Sequence, residues 1–214
     1  MADNKEKKRV EKIIEILDKT YPQAKCALNH KNPYQLLVAT ILSAQCTDKR
    51  VNMVTKDLFK KYPTIKDIAE ANQKEFEEDI RTTGFFRNKA KNIIAASKMI
   101  IEKFNGKVPK TMDELLTLPG VARKTANIVL NSGYGITVGI AVDTHVKRLS
   151  QRLGLTKETN PDKIEKDLMN IIPKEKWGDL NHQLIEHGRQ ICFARNPKCE
   201  NCTLSTVCPS AGKC

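Results

Sequence analysis

The spacing of apolar residues constrains the fold most, because it is helical over almost the whole chain. The first helix face has the spacing i, i+3, i+4, i+7 and comprises Val10, Ile13, Ile14 and Leu17. Similar patterns between turn and capping residues predict helices over residues 33–41, 48–62, 87–104, 113–117, 121–130, 144–153, 161–172 and 180–192. Only residues 137–142 have a strand-like pattern, and a single strand has nothing to pair with. The sequence therefore predicts an all-α fold.

Residues that can cap a helix stand at the start of several of these segments. Asn32 and Asn160 are each followed by proline, and asparagine before a proline is typical of a helix N-terminus. Thr47 or Asp48 can cap the helix that follows them, and Asp143 can do the same for its own helix. We expect these side chains to accept hydrogen bonds from first-turn N–H groups.

The composition excludes several classes of protein. Of the 214 residues, 40% are apolar and 29% are charged, an ordinary balance for a globular chain with a packed core. No apolar run reaches the roughly 18 residues that a membrane-spanning helix needs. Residues 1–9 are polar and charged, unlike a secretory signal peptide. We therefore expect a soluble cytoplasmic protein rather than a membrane protein, a collagen-like fibre or a disordered chain.

The chain is basic, with 37 Lys and Arg against 25 Asp and Glu, and its formal net charge is +12. Residues 81–110 contain eight basic residues and one acidic residue, and residues 121–152 contain five basic residues and one acidic residue. These two segments therefore carry almost all of the excess positive charge. Such concentration favours a polyanionic partner, of which nucleic acid is the commonest. A lysine-rich solvated surface explains the same charge, so both interpretations stay open.

Four of the seven cysteines lie near the C-terminus in the spacing C-x6-C-x2-C-x5-C, at Cys192, Cys199, Cys202 and Cys208. Four thiolates in a short segment can surround one soft metal centre, and both a structural zinc and a 4Fe-4S cluster take four thiolates. The spacing leaves the two open, with unligated core cysteines as a third interpretation. Cys26, Cys46 and Cys214 have no partner at ligand spacing. We expect the first two to be small buried side chains and Cys214 to be a thiol in the tail.

A tight turn between two helices is the second informative segment. Leu118-Pro119-Gly120 separates the helix predicted over residues 113–117 from the one over residues 121–130. Glycine permits close approach, and N–H groups at a helix N-terminus make an anion site suited to a phosphodiester. An ordinary helix–helix connection with glycine after the first helix has the same sequence signature.

Lys124 falls in the first turn of the second of these helices. The helix N-terminus and the neighbouring Arg123 both disfavour a positive charge there. A neutral lysine amine is what Schiff-base formation with a sugar carbon requires. The alternative is a lysine that is solvated or contacts phosphates, which is its commoner role in a basic protein.

Four segments together resemble the DNA glycosylase superfamily that is named for its helix-hairpin-helix motif. Residues 118–126, LPGVARKTA, resemble the hairpin, and residues 142–146, VDTHV, resemble the segment with the catalytic aspartate. The cysteine spacing resembles the family's iron-sulfur loop. Residues 42–48, LSAQCTD, resemble its DNA-probing loop. The resemblance covers nearly the whole chain.

The resemblance implies two helical domains with a DNA cleft between them. One is a six-helix domain over residues 25–137 that contains the hairpin. The other joins residues 1–24 to residues 138–214 and carries a 4Fe-4S cluster. The implied activity is base excision repair by a bifunctional glycosylase and AP lyase, which acts on oxidised pyrimidines and abasic sites in double-stranded DNA. We expect a monomer with no membrane partner, associated with the nucleoid when bound to DNA.

The resemblance also implies roles for individual residues. Lys124 attacks C1′ of the deoxyribose, Asp143 stabilises the cationic sugar, and the four cysteines hold the cluster. Gln45 fills the space that the damaged base vacates, and Phe85 wedges beside the base that was paired with the damaged one. By residue type alone, Gln45 is a polar helix-end residue and Phe85 a core residue. Further DNA contacts are expected from the hairpin and the cluster loop, at Leu118, Gly120, Ala122, Arg123, Thr125, Arg195 and Lys198.

Two alternatives remain. A monofunctional mismatch glycosylase uses an activated water and lacks lysine at the hairpin position, so Lys124 argues against it. A non-enzymatic DNA-binding or electron-transfer iron-sulfur protein needs the cysteines and the basic segments, but not Lys124 together with Asp143.

Ala122 stands where the family's hairpin usually has glycine, so we predict a negative φ there. Phe85 stands where leucine is common.

Overall fold

The computed structural model describes residues 2–213, so the prediction of a tail thiol at Cys214 lies outside it. The described residues contain eleven α-helices and no strand, which confirms the all-α prediction. None of these helices combines the length and apolar character needed to cross a bilayer. The helices are α1 (Ala2–Thr20), α2 (Pro33–Leu42), α3 (Asp48–Lys61), α4 (Ile65–Ala69), α5 (Gln73–Asp79), α6 (Phe86–Phe104), α7 (Met112–Leu116), α8 (Arg123–Ile128), α9 (Thr144–Arg152), α10 (Pro161–Ile171) and α11 (Trp177–Gln190).

Local capping explains where several helices begin. The predicted caps are confirmed, because each side chain accepts a hydrogen bond from a first-turn N–H, at Asn32, Thr47, Asp143 and Asn160. The apolar pattern misses α4 and α5, which are five and seven residues long. Residues 137–142 form no strand, because the described part of the chain offers them no second strand.

The chain divides into two compact units, the first over Cys26–Val138 and the second over Met1–Lys25 with Gly139–Cys214. Each predicted domain boundary differs from these by one residue. The first unit contains α2 to α8, which is seven helices where the resemblance implied six, and it includes α4 and α5, which the apolar pattern missed. Residues 34–42 of α2 are all buried. A helix that is buried on every side must be surrounded by others, so α2 is the central helix of this unit.

The second unit joins the N-terminal helix to the C-terminal part of the chain. Ile13 and Leu17 of α1 are buried in the same apolar core as residues of α9, α10 and α11. The guanidinium of Arg9 donates hydrogen bonds to the carbonyl oxygens of Leu153 at 2.6 Å and Val207 at 3.2 Å. The first helix is thereby fixed to the segment that carries the four cysteines.

Candidate functional site

The helices α7 and α8 form the predicted helix-hairpin-helix, in which Gly120 makes the turn. Gly120 has a φ of +78°, a left-handed conformation that favours glycine. A Cβ at this position would lie 2.8 Å from Cβ of Asn92 on α6, so the turn packs directly against that helix. Ala122 precedes α8 with a φ of −97°, which confirms the predicted negative angle.

The first turn of α8 has no side-chain cap. The methyl group of Ala122 cannot accept a hydrogen bond, so the N–H groups of this turn are not used by a capping side chain. Gly120, Ala122 and Lys124 are exposed, and Arg123 and Thr125 are half-buried. This end of the hairpin therefore presents backbone donors and cationic side chains together.

Leu118 differs from the other hairpin residues. Its side chain is only 2% exposed and belongs to the core of its unit. Because the side chain packs inward, the DNA contact expected at Leu118 stays a prediction. A contact at this position can come only from backbone atoms.

Lys124 is the second residue of α8 and is exposed. Ala126 lies about 200° further around the helix and is fully buried, so the helix packs through one face and presents Lys124 on another. The amine is therefore accessible to a ligand while the backbone that carries it is held by the core.

Asp143 belongs to the second unit and directly follows residues 140–142, which are buried. One oxygen of its carboxylate accepts a hydrogen bond from the backbone N–H of Val146 at 2.8 Å. The side-chain amide of Asn181 donates to the carbonyl oxygen of Ala141 at 2.5 Å and holds the segment before the aspartate. The half-buried carboxylate is thus fixed in place, and the cap uses only one of its two oxygens.

Gln45 and Phe85, both in the first unit, are exposed and have left-handed backbone, with φ of +53° and +47°. Non-glycine residues rarely adopt this conformation and keep it only where the surroundings hold it, often at functional sites. Phe85 is 65% exposed, so the interpretation of Phe85 as a core residue is wrong. The reason is the left-handed turn just before α6, after which Phe86 packs against the core instead.

The four predicted ligand cysteines line one cavity of the second unit, with about 400 Å³ of empty space when the open solvent is included. All four side chains are half-buried. Within residues 2–213, no three or more His, Cys, Asp or Glu side chains are arranged to hold a single metal ion. The shared feature of the four cysteines is thus the one cavity that they line.

Polar side chains contact the thiols of Cys192 and Cys202. Arg152 donates from Nη1 to Sγ of Cys192 at 3.3 Å and to the carbonyl oxygen of Phe193 at 2.6 Å. Nε2 of His187 lies 3.3 Å from Sγ of Cys202. Burial lowers the pKa of His187 to about 4, so its ring is neutral near pH 7. Sequence reasoning missed both residues, because no motif spacing connects them to the cysteines.

Arg195 and Lys198, the basic residues expected to face phosphates, are both exposed in the loop before Cys199. Nζ of Lys198 lies 5.4 Å from the centroid of the Phe193 ring. The backbone N–H of Lys198 donates to the carbonyl oxygen of Ile191 at 3.0 Å and closes this loop. Both cations are available to an anionic partner.

The sequence matches the HhH-GPD superfamily of base excision DNA repair proteins over residues 38–174. The endonuclease III of Synechocystis sp. is 58% identical over 205 residues, which cover 96% of this chain and 94% of that protein. A solved structure of a trapped covalent intermediate of endonuclease III with DNA, an estranged-adenine complex, is 47% identical over 96% of both chains, with a TM-score of 0.92. A thermostable thymine-DNA glycosylase is 25% identical over 100% of both chains, with a TM-score of 0.87.

Proposed function

The chain belongs to the endonuclease III family of HhH-GPD base excision DNA repair proteins, and on that premise we propose a bifunctional DNA glycosylase and AP lyase that removes oxidised pyrimidines from duplex DNA. The observation that carries the proposal is Lys124, an exposed amine in the first turn after the Pro119-Gly120 hairpin. A glycosylase that activates water needs no amine there, whereas a Schiff-base lyase does. The relative trapped covalently on DNA supports the same chemistry.

The damaged nucleotide has to leave the base stack before its glycosidic bond can be attacked, at a cost of a few kcal/mol. Gln45 and Phe85 offer exposed side chains on constrained backbone for this step. Gln45 fills the vacated space, and Phe85 wedges beside the unpaired base. Because both backbones are fixed before DNA binds, less ordering has to occur on binding.

Lys124 supplies the nucleophile. Its Nζ lone pair attacks C1′ of the deoxyribose, the C1′–N bond breaks, and the base leaves with the bonding electrons and takes up a proton. Opening of the sugar ring gives an iminium ion, which acidifies the proton on C2′. Removal of that proton breaks the C3′–O bond and releases the 3′ phosphate. Water then hydrolyses the Schiff base and regenerates the lysine amine.

Asp143 supplies the negative charge that this reaction needs. The sugar becomes cationic as the base leaves, and a fixed carboxylate stabilises that charge without having to reorganise. The hydrogen bond from Val146 fixes one carboxylate oxygen. The helix cap and the catalytic charge are compatible roles, because they use different oxygens of one side chain.

The DNA backbone is bound by the hairpin and by the loop that contains the cysteines. A phosphate takes the place of the missing cap at the first turn of α8, where N–H groups and the helix dipole favour an anion. Arg123 and Thr125 flank that turn, and Arg195 and Lys198 add two exposed cations from the second unit. Binding through phosphates weakens steeply as salt rises.

We further propose that the four cysteines hold a 4Fe-4S cluster rather than a zinc ion. A zinc ion and a 4Fe-4S cluster both accept four thiolates, and the resemblance of the cysteine spacing to the family's iron-sulfur loop favours the cluster. A cluster takes four thiolates around a larger core, which fits four half-buried thiols around one cavity. Arg152 beside Cys192 stabilises thiolate charge. When bound, the cluster would order residues 192–208, and Lys124 and Asp143 carry the chemistry.

We also propose that the protein acts as a monomer in the cytoplasm and associates with the nucleoid through DNA. The net charge of +12 supports a polyanionic partner and disfavours self-association. Sedimentation equilibrium is expected to give the mass of one chain, whereas the mass of two chains would contradict the monomer.

A duplex with one thymine glycol tests the proposed activity. We expect the wild-type protein to release the base and cut the strand, and Lys124→Ala to do neither. Lys166→Ala removes an exposed lysine of α10 and is the matched control, which is expected to keep both activities. Base release without strand cleavage by the wild-type protein favours the monofunctional interpretation. DNA binding with neither product favours the non-enzymatic one.

A further inference from the structure

A buried lysine connects the two loops that carry Gln45 and Phe85. Lys89 lies in the first turn of α6 and is 5% exposed. Its ammonium donates hydrogen bonds to the carbonyl oxygens of Leu42 and Thr83, each at 2.8 Å. Leu42 ends α2, and Thr83 ends a short 3-10 helix. The ammonium of Lys89 is therefore hydrogen-bonded to the C-terminal ends of both helices.

These two carbonyl groups are the points at which the loops begin. Gln45 follows Leu42 by three residues, and Phe85 follows Thr83 by two. Carbonyl groups at a helix C-terminus lack intrahelical donors and carry partial negative charge. An ammonium has three donors, so Lys89 can bind both helix ends at once and fix the distance between them.

Apolar packing does not explain a lysine at this position. Ala90 and Ile93 beside it are buried, and an apolar side chain would continue the same core. An ammonium is unfavourable to bury, and burial lowers the pKa of Lys89 accordingly. In the part of the chain that the structure describes, Lys89 has no carboxylate partner, and its compensation comes from the two carbonyl groups.

We propose that Lys89 is a positioning residue whose ammonium holds the loop of Gln45 and the loop of Phe85 in one fixed relation, so that both side chains enter the duplex together. This rests on the proposed intrusion of the two side chains into DNA. Their left-handed backbone conformations persist only where the surroundings hold them, and Lys89 supplies part of that hold. Its loss changes base extrusion rather than the reaction of Lys124.

The fluorescence of 2-aminopurine, placed opposite a tetrahydrofuran abasic analogue in a duplex, tests this role because it rises when the unpaired base is unstacked. At saturating protein, we expect a rise with the wild type and a rise at least threefold smaller with Lys89→Met and with Lys89→Gln. Methionine removes both hydrogen bonds, and glutamine is too short to reach both carbonyls. Lys89→Arg keeps the charge and is expected to restore part of the rise.

Two control variants separate positioning from charge and from stability. Lys98→Met removes an exposed lysine from the same helix, and Ile100→Val removes a methylene from its buried face. Both are expected to give the full wild-type rise. A purely structural role for Lys89 predicts instead that Ile100→Val lowers the rise in proportion to its loss of stability.

Each outcome decides the inference. A smaller rise with the Lys89→Met and Lys89→Gln variants, and a full rise with both controls, supports it. A full rise with a folded Lys89→Met or Lys89→Gln overturns it and leaves the proposed function intact. A wild-type protein that binds the duplex without any rise overturns the intrusion of Gln45 and Phe85, and this inference with it. Strand cleavage at thymine glycol then still tests Lys124 separately.

Discussion

The carboxylate of Asp143 accepts a hydrogen bond from the backbone N–H of Val146 at 2.8 Å. The proposed catalytic aspartate is therefore also the N-cap of α9. A cap needs an oxygen acceptor, whereas stabilisation of a cationic sugar needs a negative charge. Substitutions that remove one of these properties at a time separate the two roles.

Asp143→Asn is expected to keep the cap and lose the charge. Asparagine and aspartate cap helices about equally well, so the free energy of unfolding should stay within about 0.5 kcal/mol of the wild-type value. Excision at thymine glycol should fall about 100-fold, the range expected for a catalytic carboxylate. Asp143→Ala should also lose about 1 kcal/mol of stability. Urea denaturation measures the stability of the two variants, and single-turnover kinetics measure their excision rates. Excision by Asp143→Asn at the wild-type rate would contradict the electrostatic role.

Phe85→Gly and Phe85→Ala are expected to separate stability from activity. Both remove an exposed ring, so both should lower excision about tenfold or more if the ring acts as a wedge. At a φ of +47°, glycine is unstrained and alanine is not, so the glycine variant should be more stable by about 1 kcal/mol. Urea denaturation measures this difference. Equal stability of the two variants would argue against a left-handed backbone conformation at residue 85.

Gly120→Ala is expected to destabilise the protein by about 2–4 kcal/mol, because a Cβ there meets both a left-handed φ and Cβ of Asn92. Gly135→Ala is the matched control, since Gly135 also has a positive φ but no atom within 4 Å of the added Cβ. The free energy of unfolding of Gly135→Ala should fall by only about 1 kcal/mol. Denaturant unfolding compares the two, and equal losses would show that the hairpin does not pack against Asn92.

The metal content separates the two candidate centres. We expect about four irons per chain in protein purified without oxygen, together with a visible absorption band. Cys202→Ala should lose iron, whereas Cys46→Ala, in the other unit, should keep it. One zinc per chain and no iron would contradict the proposed cluster.

Local signals made the helices and caps predictable, because they act within a single turn. The side chains of Asn32 and Asn160 accept hydrogen bonds from first-turn N–H groups, as the proline after each asparagine indicated. The negative φ of Ala122 follows from the steric demand of its Cβ. The strand-like residues 137–142 show the limit of such reasoning, since a strand depends on a partner elsewhere in the chain.

Tertiary contacts determined what the sequence did not reveal. Phe85 looks like a core residue by type, but its backbone conformation exposes it. Leu118 lies in a DNA-binding motif, yet its side chain anchors the turn in the core. The only sequence signal for Lys89 is its place one helical turn before the buried Ile93. Its partners come from segments that no periodicity connects to it.

The nucleophilic role of Lys124 is tested most directly by locating the adduct that borohydride reduction leaves on the protein. The wild-type protein is mixed with a duplex that contains an abasic site, reduced, digested and mapped by mass spectrometry. We predict a reduced sugar adduct on Nζ of Lys124 and on no other residue. An adduct on a different lysine, or release of the base from thymine glycol with no adduct at all, would contradict the account.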